Sequence, residues 1–375
     1  MDHSKNMTIR EIRAAVLRKQ DGPLKIETLL MEGPQDSEAL IRTVASGVCH
    51  TDISMVHHWE TAAGPLVLGH EGAGIVELTG KKVKAVRPGD HVVLSYQSCG
   101  TCRQCKSGRP TKCRRFYDLN FGFHRPDGSN ALEQSGVRGH FLGQSSFSSH
   151  ILATERNMVK VSKKLPLSIL APLGCGMQTG AGTVMNMLHV RKGESIAIFG
   201  TGAVGLAAVM AARVVGAYPI IGVDIAPSRL KLALELGATH VINGRKNDVA
   251  AGMKKIVADG VNYVLETTGN SQMLHLAPEV IKKRGTAAFF TGEGVPDFVP
   301  KGIKAVQVVE GDSVPQIFIP KLIKLYQSGR FPFDRLLKFY DFKDINRAMK
   351  DSLSGKTIKP VLCMGNEKKA FGINY

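Results

Sequence analysis

The stretch 194-ESIAIFGTGAVGLAAVMAARVVG-216 determines how this chain of 375 residues is interpreted. A short apolar run precedes Gly200, Gly202 and Gly205, and a run rich in small residues follows them. The G-x-G-x-x-G spacing permits a tight turn and lets a pyrophosphate approach the N-terminus of a helix. Asp224 ends the next apolar run, nineteen residues beyond Gly205, which is the spacing of a dinucleotide-binding unit. The stretch therefore predicts a Rossmann unit.

The same stretch indicates which dinucleotide is bound. Asp224 can accept hydrogen bonds from a ribose 2′-hydroxyl and would repel a 2′-phosphate, which favours NAD over NADP. Arg229 keeps NADP as an alternative, although a cation there can also contact the ribose or a surface partner. A glycine turn that binds nothing is the other alternative. The residues expected to contact the cofactor are Gly200, Gly202, Ala203, Val204, Gly205, Asp224 and Arg229.

Strands and helices alternate beyond this stretch. The run "YPIIGVDI" predicts a strand, and "PSRLKLALELGA" predicts a helix that starts at Pro227 and is capped by Gly237. The alternation continues to about Gly292 and implies a parallel sheet covered by helices. The tail predicts helices followed by a last strand. The first ~175 residues are rich in glycine and short β-like runs, which predicts a mainly β unit.

Four cysteines lie within fifteen residues, at Cys99, Cys102, Cys105 and Cys113. Four thiolates fill a tetrahedral shell around zinc and leave no position for water or substrate, so such a site ties a loop together. An iron–sulfur cluster or a redox switch is the alternative. The clustering and the odd count of seven cysteines favour a metal over disulfides. Cys363 has no assigned role.

The net charge of +17 raises the question of a nucleic-acid partner. The basic residues beside the cysteines are Arg103, Lys106, Arg109, Lys112, Arg114 and Arg115. They do not alternate with aromatic residues, and no RNA-binding or helix-turn-helix signature is present, so no nucleic acid is expected. The sequence also has no apolar run of about 18 residues and no apolar leader. We therefore expect a cytoplasmic protein that does not bind membranes.

Five motifs occur in the order seen in zinc-dependent medium-chain alcohol dehydrogenases. They are "CHTD" at Cys49, "GHEGAG" around His70, the four-cysteine lobe, "GCGMQTGAG" around Cys175, and "GTGAVG". The resemblance extends from about Ala14 to Met364. The segment "GDSVPQIFIPKLIKLYQSGRFPFDRL" is similar to the aryl- and benzyl-alcohol dehydrogenase branch of this family.

The resemblance implies an α/β fold with a GroES-like, β-rich catalytic domain and an inserted Rossmann domain. Residues 1–177 are then the catalytic domain, with a structural zinc lobe at about 95–115. Residues 178–309 are the NAD-binding domain, and residues 310–375 return to the catalytic domain. The same likeness implies a homodimer or homotetramer.

By the same resemblance, Cys49, His70 and Cys175 bind a catalytic zinc ion. Two cysteines and one histidine leave the fourth position open for water or an alcohol. Taken singly, the cysteines also fit small buried apolar residues, and His70 fits a core histidine. Glu71 resembles the acid that lies close behind the metal and is sometimes an alternative ligand. Asp52 resembles the carboxylate that orients His70.

A proton relay is also implied, with one departure from the family. Thr51 takes the place of the hydroxyl that receives the alcohol proton, and His50 that of a basic residue on the cofactor pyrophosphate. Many relatives end the relay on a histidine where this chain has Ser54. A serine is no terminal base near neutral pH, so the relay must end on water, His50 or another group. His57 and His58 are interpreted as surface histidines.

The activity implied is reversible oxidation of a primary aromatic, benzyl-type or allylic alcohol to its aldehyde, with hydride transfer to NAD and two zinc ions per chain. Trp59, Ser95, Phe141 and Leu142 are expected to line the pocket, which is roomier at Ser95 because relatives often have an aromatic residue there. The alternatives are a glutathione-linked formaldehyde dehydrogenase, a terpenoid alcohol dehydrogenase and a zinc-free reductase of the superfamily. A basic zinc-knuckle protein that binds nucleic acid is the distant alternative.

Overall fold

The computed structural model describes residues 9–290 and 296–365. Within them the chain forms two compact units, the first of residues 9–175, 314–320 and 334–365 and the second of residues 176–290, 296–313 and 321–333. The borders between the units lie after Cys175 and after Ser313, whereas the domain limits predicted from the sequence are residues 177 and 309. The ends of the predicted domains, residues 1–8 and 366–375, and the predicted stretch near Gly292 lie outside the described residues.

In the first unit, the strands and short helices are joined by many loops. In the second unit, strands and helices alternate regularly. The strands are β1 (Arg10–Leu17), β2 (Lys25–Met31), β3 (Glu38–Gly47), β4 (Leu66–Val67), β5 (Glu71–Thr79), β6 (His91–Leu94), β7 (His150–Thr154), β8 (Met158–Val161), β9 (Ile196–Phe199), β10 (Ile220–Asp224), β11 (His240–Asn243), β12 (Val261–Glu266), β13 (Ile281–Phe289), β14 (Lys304–Gln307), β15 (Leu337–Asp341) and β16 (Lys359–Cys363). The helices are α1 (His50–His58), α2 (Arg103–Lys106), α3 (Phe116–Phe121), α4 (Leu167–Leu170), α5 (Gly176–Gly182), α6 (Ala203–Val215), α7 (Pro227–Leu236), α8 (Val249–Ile256), α9 (Ser271–Glu279), α10 (Pro315–Gln327) and α11 (Ile345–Leu353).

The second unit contains a six-stranded parallel sheet with the order β11-β10-β9-β12-β13-β14. Its core combines apolar strand residues such as Phe199 and Val264 with helix residues such as Met253. In a parallel sheet, neighbouring strands end at the same edge. The ends of β9 and β10 therefore bring the Gly200 turn next to Asp224.

The first unit contains a three-stranded sheet, β2-β1-β4, and a seven-stranded sheet. The larger sheet has the order β15-β16-β3-β5-β6-β8, and β7 also pairs with β3. Gly47 at the end of β3 pairs with Glu71 at the start of β5 and with Val361 of β16. This register brings the chain around Cys49, the start of β5 and the start of β16 to one place.

The fold class predicted from the sequence is confirmed: the chain is an α/β protein with a β-rich unit and a parallel dinucleotide-type unit. Helix α7 starts at Pro227, and Gly237 caps it in a positive-φ conformation, as predicted. The tail contains a further strand, β15, between α10 and α11. Among the residues that the structure describes, no helix has the length and apolar character needed to cross a membrane.

Candidate metal centres and dinucleotide site

Four potential metal ligands meet in the first unit. Cys49 is the N-cap of α1 directly after β3, His70 and Glu71 stand at the start of β5, and Cys175 follows a short helical turn. Their ligand atoms all lie within 4.8 Å of one another. The three residues that the resemblance assigned to the catalytic zinc are thus brought together, although Cys175 lies more than 100 residues beyond Cys49 and His70 in the chain.

Asp52 fixes this cluster from within. Its Oδ1 accepts hydrogen bonds from Gly69 N and pairs with His70 Nδ1, both at 3.0 Å, and its Oδ2 accepts from Cys49 N at 3.0 Å. The carboxylate is completely buried. Because Nδ1 of His70 faces this carboxylate, Nε2 is left for a metal.

The electrostatics of the cluster favour a cation between its donors. A hydrogen bond with Cys175 and the charges of Lys359 and His70 outweigh burial and hold the pKa of the Cys49 thiol well below its usual range. Burial disfavours a charged His70, but Asp52 and Cys49 together raise the pKa of its imidazole well above the ordinary value. Zinc binds cysteine as the thiolate and histidine as the neutral imidazole. A metal ion would therefore replace the proton on Nε2 of His70. The donor set fits Zn²⁺.

Lys359 is a member of the site that the sequence did not indicate. Its Nζ lies 2.8 Å and 3.0 Å from the two carboxylate oxygens of Glu71 and donates to Val48 O at 3.2 Å. Both side chains of the pair are almost completely buried. Although burial opposes its charge, Glu71 and the Cys49 thiolate raise the pKa of Lys359. Nothing in "GKTIKPVLC" distinguishes this lysine from a surface lysine.

The role of Asp52 gives a first prediction. Asp52→Asn should weaken zinc binding at the Cys49–His70–Cys175 cluster by about 10–100-fold. An amide offers one oxygen, while three donors converge on the carboxylate, so its NH₂ group must face a donor. Zinc retained per chain after dialysis against chelators of graded strength measures the effect.

Asp118→Asn is the matched control for this experiment. Asp118 pairs with Arg115 at 2.8 Å, but both side chains are nearly half exposed, so its loss should leave zinc retention unchanged. Equal retention of zinc by Asp52→Asn and the wild type would remove Asp52 from the metal site.

The predicted relay residues lie on α1. The Thr51 hydroxyl lies 3.8 Å from Cys49 Sγ, and His50 is exposed. Ser54 Oγ lies 3.3 Å from Nδ1 of His58, which also contacts Ser54 O at 2.8 Å. His57 and His58 are both exposed, and His57 pairs with Asp21 at 2.5 Å. The relay assignments stay predictions.

The four predicted pocket residues are found in two settings. Trp59 and Phe141 belong to an aromatic cluster beside the metal ligands: the Trp59 ring contacts Phe123 at 4.7 Å, and Phe123 stacks on Phe141 at 5.5 Å. The Phe141 ring meets the His70 imidazole edge-on at 5.5 Å. Ser95 is fully buried, and its hydroxyl donates to the backbone carbonyl of Gly174 at 2.7 Å. Leu142, next to Phe141 in the chain, is also buried. Their pocket assignment stays a prediction.

Phe121 and Phe123 were missed by sequence reasoning. Phe121 contacts Phe141 at 5.9 Å, and Phe123 has a left-handed backbone with φ of 57°. The only sequence signal is their spacing in "NFGF", which does not reveal a partner twenty residues away. The apolar wall next to His70 is therefore wider than the predicted set.

The sulfur atoms of Cys99, Cys102, Cys105 and Cys113 also lie within 4.8 Å of one another, and all seven cysteines are free thiols. Cys99 Sγ receives hydrogen bonds from Cys102 N at 3.4 Å and the Thr101 hydroxyl at 3.6 Å. Despite burial, these donors lower the pKa of Cys99 to about 6. Four sulfur donors with no oxygen or nitrogen fit a closed structural zinc site.

The basic residues around this four-cysteine lobe lie on the surface. Arg103, Lys106, Arg109, Lys112, Arg114 and Arg115 are all exposed. Arg115 pairs with Asp118 at the start of α3. Exposure agrees with the interpretation of the lobe as a solvated basic surface.

The glycine turn of the second unit has the geometry that a pyrophosphate requires. Gly200 has a φ of 88°, and a Cβ at Gly205 would lie 1.8 Å from Gly200 O, so neither position accepts a side chain. A Cβ at Gly202 would meet nothing within 4 Å, which leaves open space at the N-terminus of α6. Ala203 and Val204 form the first turn of that helix.

Asp224 stands beside this turn, at the end of β10. Its Oδ2 accepts hydrogen bonds from Thr201 N at 2.8 Å and the Thr201 hydroxyl at 3.0 Å, and its Oδ1 accepts from Ala226 N at 2.9 Å. Arg229 lies 3.9 Å from the carboxylate, and its buried Nε has no hydrogen-bond partner among the described residues. An orphaned donor next to a carboxylate fits a ribose with hydroxyl groups.

A dinucleotide-type unit, a cluster of two cysteines, a histidine and a glutamate, and a second cluster of four thiols are the combination expected of a zinc-dependent dehydrogenase. Residues 35–163 match the alcohol dehydrogenase GroES-like domain, and residues 203–310 match the zinc-binding dehydrogenase domain. The chain belongs to the zinc-dependent medium-chain alcohol dehydrogenase family, which confirms the resemblance found in the sequence.

Three relatives illustrate the closeness of the match. The chain is 42% identical to a geraniol dehydrogenase of Castellaniella defragrans, over 93% of this chain and 97% of that protein. Its structure is similar to benzyl alcohol dehydrogenase from Acinetobacter calcoaceticus, with a TM-score of 0.89 and 43% identity over 95% of this chain and 100% of that one. It is also similar to an alcohol dehydrogenase zinc-binding domain protein from Burkholderia ambifaria, with a TM-score of 0.90 and 48% identity over 96% and 100% of the chains.

Proposed function

We propose that this protein oxidises primary allylic and benzylic alcohols to their aldehydes, reversibly, with NAD as the hydride acceptor. The observation that carries the proposal is the set of three donors, Cys49, His70 and Cys175, with the nearby Glu71 engaged by Lys359. Three donors leave a position for substrate, whereas four would close the site. The names of two relatives, a geraniol and a benzyl alcohol dehydrogenase, supply the substrate class.

The apolar surroundings of His70 support an unsaturated substrate. Phe141 faces the imidazole, and Phe121 and Phe123 extend the aromatic wall. Aromatic rings pack well against the flat π-system of a benzyl group or an allylic double bond. Trp59, Ser95 and Leu142 complete the proposed pocket.

The chemistry divides between the bound groups and the chain. When bound, zinc would supply a Lewis acid for the alcohol oxygen and NAD would accept the hydride, so that the alcohol would give the aldehyde, NADH and one proton. Cys49, His70 and Cys175 hold the metal, and Asp52 orients His70 through Nδ1. The Thr51 hydroxyl takes the proton of the alcohol and passes it outward.

The remaining assignments are part of the same proposal. The four-cysteine lobe holds a second, structural zinc ion, and the Gly200–Gly205 turn with Asp224 and Arg229 binds the cofactor. His50 contacts the pyrophosphate. By family resemblance, residues 1–177 and 310–375 form the catalytic domain of a cytoplasmic homodimer or homotetramer, and residues 178–309 bind NAD.

Zinc analysis combined with turnover tests this function. We expect about two zinc ions per chain and NAD-dependent oxidation of geraniol and benzyl alcohol with higher kcat/KM than ethanol. S-(hydroxymethyl)glutathione should be a poor substrate. A preference for the glutathione adduct would replace the proposed substrate class, and a purified protein without zinc at the three-donor cluster would overturn the mechanism.

The cofactor preference gives a separate prediction. Asp224→Asn should raise the ratio of kcat/KM for NADP to that for NAD by at least about tenfold, because it removes a charge that repels the 2′-phosphate. Asparagine can keep its oxygen for Thr201 N and the Thr201 hydroxyl, but its NH₂ group then faces Ala226 N, so binding of both cofactors should weaken. The ratio of the two kcat/KM values is insensitive to a loss that both cofactors share.

Asp248→Asn is the control for Asp224→Asn. Asp248 caps α8 in the same unit by accepting from Ala251 N at 3.1 Å, a role that asparagine fills equally well. Its cofactor ratio should match the wild type. An unchanged ratio in Asp224→Asn would show that Asp224 does not select the cofactor.

A further inference from the structure

The segment from His140 to Ser145 has an unusual backbone. His140, Leu142 and Ser145 have φ values of 63°, 45° and 53°, and Gly143 between them has 68°. Residues with a Cβ adopt this left-handed region only when the surrounding structure holds them there. Strain of this kind clusters at functional sites, so the contacts of the segment indicate what it serves.

The segment lies alongside the residues that lead to His70. Phe147 N donates to Leu68 O at 3.0 Å, Ser146 N donates to Gly69 O at 2.9 Å, and the Ser145 hydroxyl donates to Val67 O at 2.7 Å. These bonds tie the end of the strained segment and the two residues after it to the chain on the N-terminal side of His70.

Gln144 ties the other side. Its Nε2 donates to the carbonyl of His70 at 2.7 Å, and its Oε1 accepts from Gly72 N at 3.0 Å. The side chain is buried, with 3% of its surface exposed. A buried carboxamide with both ends satisfied fixes the backbone that it bridges, because breaking either bond leaves an unpaired polar group.

The same carboxamide reaches toward a second zinc ligand. Gln144 Nε2 also lies 3.2 Å from Ser95 O, and the Ser95 hydroxyl donates to Gly174 O at 2.7 Å. Gly174 directly precedes Cys175, and a Cβ at Gly174 would lie 1.9 Å from Leu94 O, so this segment packs closely on the chain around Ser95. A continuous chain of buried hydrogen bonds thus joins the His70 segment to the Cys175 segment.

We propose that Gln144 and Ser95 form a brace that fixes the separation of His70 and Cys175 and so sets the geometry of the open zinc site. This inference rests on the proposed function, since it concerns the same metal centre. Gln144 and Ser95 act through the ligands and are positioning residues. In this role, the Ser95 hydroxyl contacts Gly174 and the Ser95 carbonyl contacts Gln144.

Replacing zinc by Co²⁺ gives a readout that does not depend on turnover. Gln144→Met has a similar shape but makes none of the three hydrogen bonds. We expect it to shift the visible d–d absorption of Co²⁺ in the three-donor site and to weaken metal binding there by about 10–100-fold. Ser95→Ala should change both measurements in the same direction by less, and the double variant should add little because the two residues share one network.

Tyr340→Phe is the matched control. Tyr340 is as buried as Gln144, and its hydroxyl bonds to Asp351 at 2.8 Å and Thr357 at 2.7 Å in the same unit, with no bond to a residue of either ligand cluster. It should lower thermal stability to a similar extent while the Co²⁺ spectrum and affinity stay those of the wild type.

Each outcome separates the inference from the proposed function. If the wild type binds metal at the three-donor site but Gln144→Met keeps its spectrum and affinity, the brace is wrong and the function stands. If the wild type binds no metal there, the proposed function itself fails. If Gln144→Met does not fold, Ser95→Ala decides: wild-type spectrum and affinity in that variant would overturn the brace.

Discussion

Replacing Cys49 by alanine should remove one of the two expected zinc ions per chain and lower kcat/KM for geraniol or benzyl alcohol by at least about a thousandfold. The large effect follows from the donor count, since only His70 and Cys175 would remain of the three donors proposed to hold the metal. Zinc per chain, turnover and circular dichroism of the same preparation measure the loss of metal, activity and fold separately.

Two other cysteines provide controls for this experiment. Cys363 is buried on β16 and lies outside both clusters, so Cys363→Ala should keep both zinc ions and the activity. Cys113→Ala should lose the other zinc ion and destabilise the four-cysteine lobe. If Cys49→Ala kept all the zinc of the wild type, the open site would not be a metal site and the alcohol dehydrogenase mechanism would have to be abandoned.

Lys359→Met should lower the free energy of unfolding by about 3–5 kcal/mol, because it leaves the carboxylate of Glu71 buried without its cation. Glu71 has no exposed surface, and Lys359 supplies both of the contacts at 2.8 Å and 3.0 Å described above. Urea unfolding at a fixed zinc concentration measures the loss.

A second substitution, at Glu71, should compensate for the loss of Lys359. The double variant Lys359→Met/Glu71→Gln removes both charges and should recover most of the stability. Lys82→Met is the surface control: Lys82 pairs with Asp36 at 3.4 Å, with 74% and 53% of the side chains exposed, and its loss should cost less than about 1 kcal/mol. Two results would contradict the stabilising role of the Lys359–Glu71 pair. One is a free energy of unfolding of Lys359→Met equal to that of the wild type, and the other is a double variant no more stable than Lys359→Met.

Local spacing explains why much of the fold was predictable. The turn at Gly200–Gly205 needs positive φ at one position and close approach at another, and only glycine satisfies both. The helix that starts at Pro227 carries its start and stop signals in its own sequence. Cys99 and Cys113 lie close enough in the chain for spacing alone to indicate one metal site.

The partners of buried polar groups were not predictable in this way. Lys359 is 288 residues from Glu71, and Gln144 is 74 residues from His70. Each looks like an ordinary polar residue in its own segment. Phe123 and Phe141 likewise stack although they are 18 residues apart, and left-handed residues occur at Phe123 and on both sides of Phe141.

The sequence by itself determined the dinucleotide turn, the four-cysteine lobe and, through family resemblance, that Cys49, His70 and Cys175 come together in one cluster. The tertiary structure alone decided that Lys359 neutralises Glu71 and that Gln144 and Ser95 connect the His70 and Cys175 segments. The physical reason is that local patterns set backbone conformation, whereas burial and pairing depend on the register of distant strands. The pairing of Gly47 with both Glu71 and Val361 sets that register here.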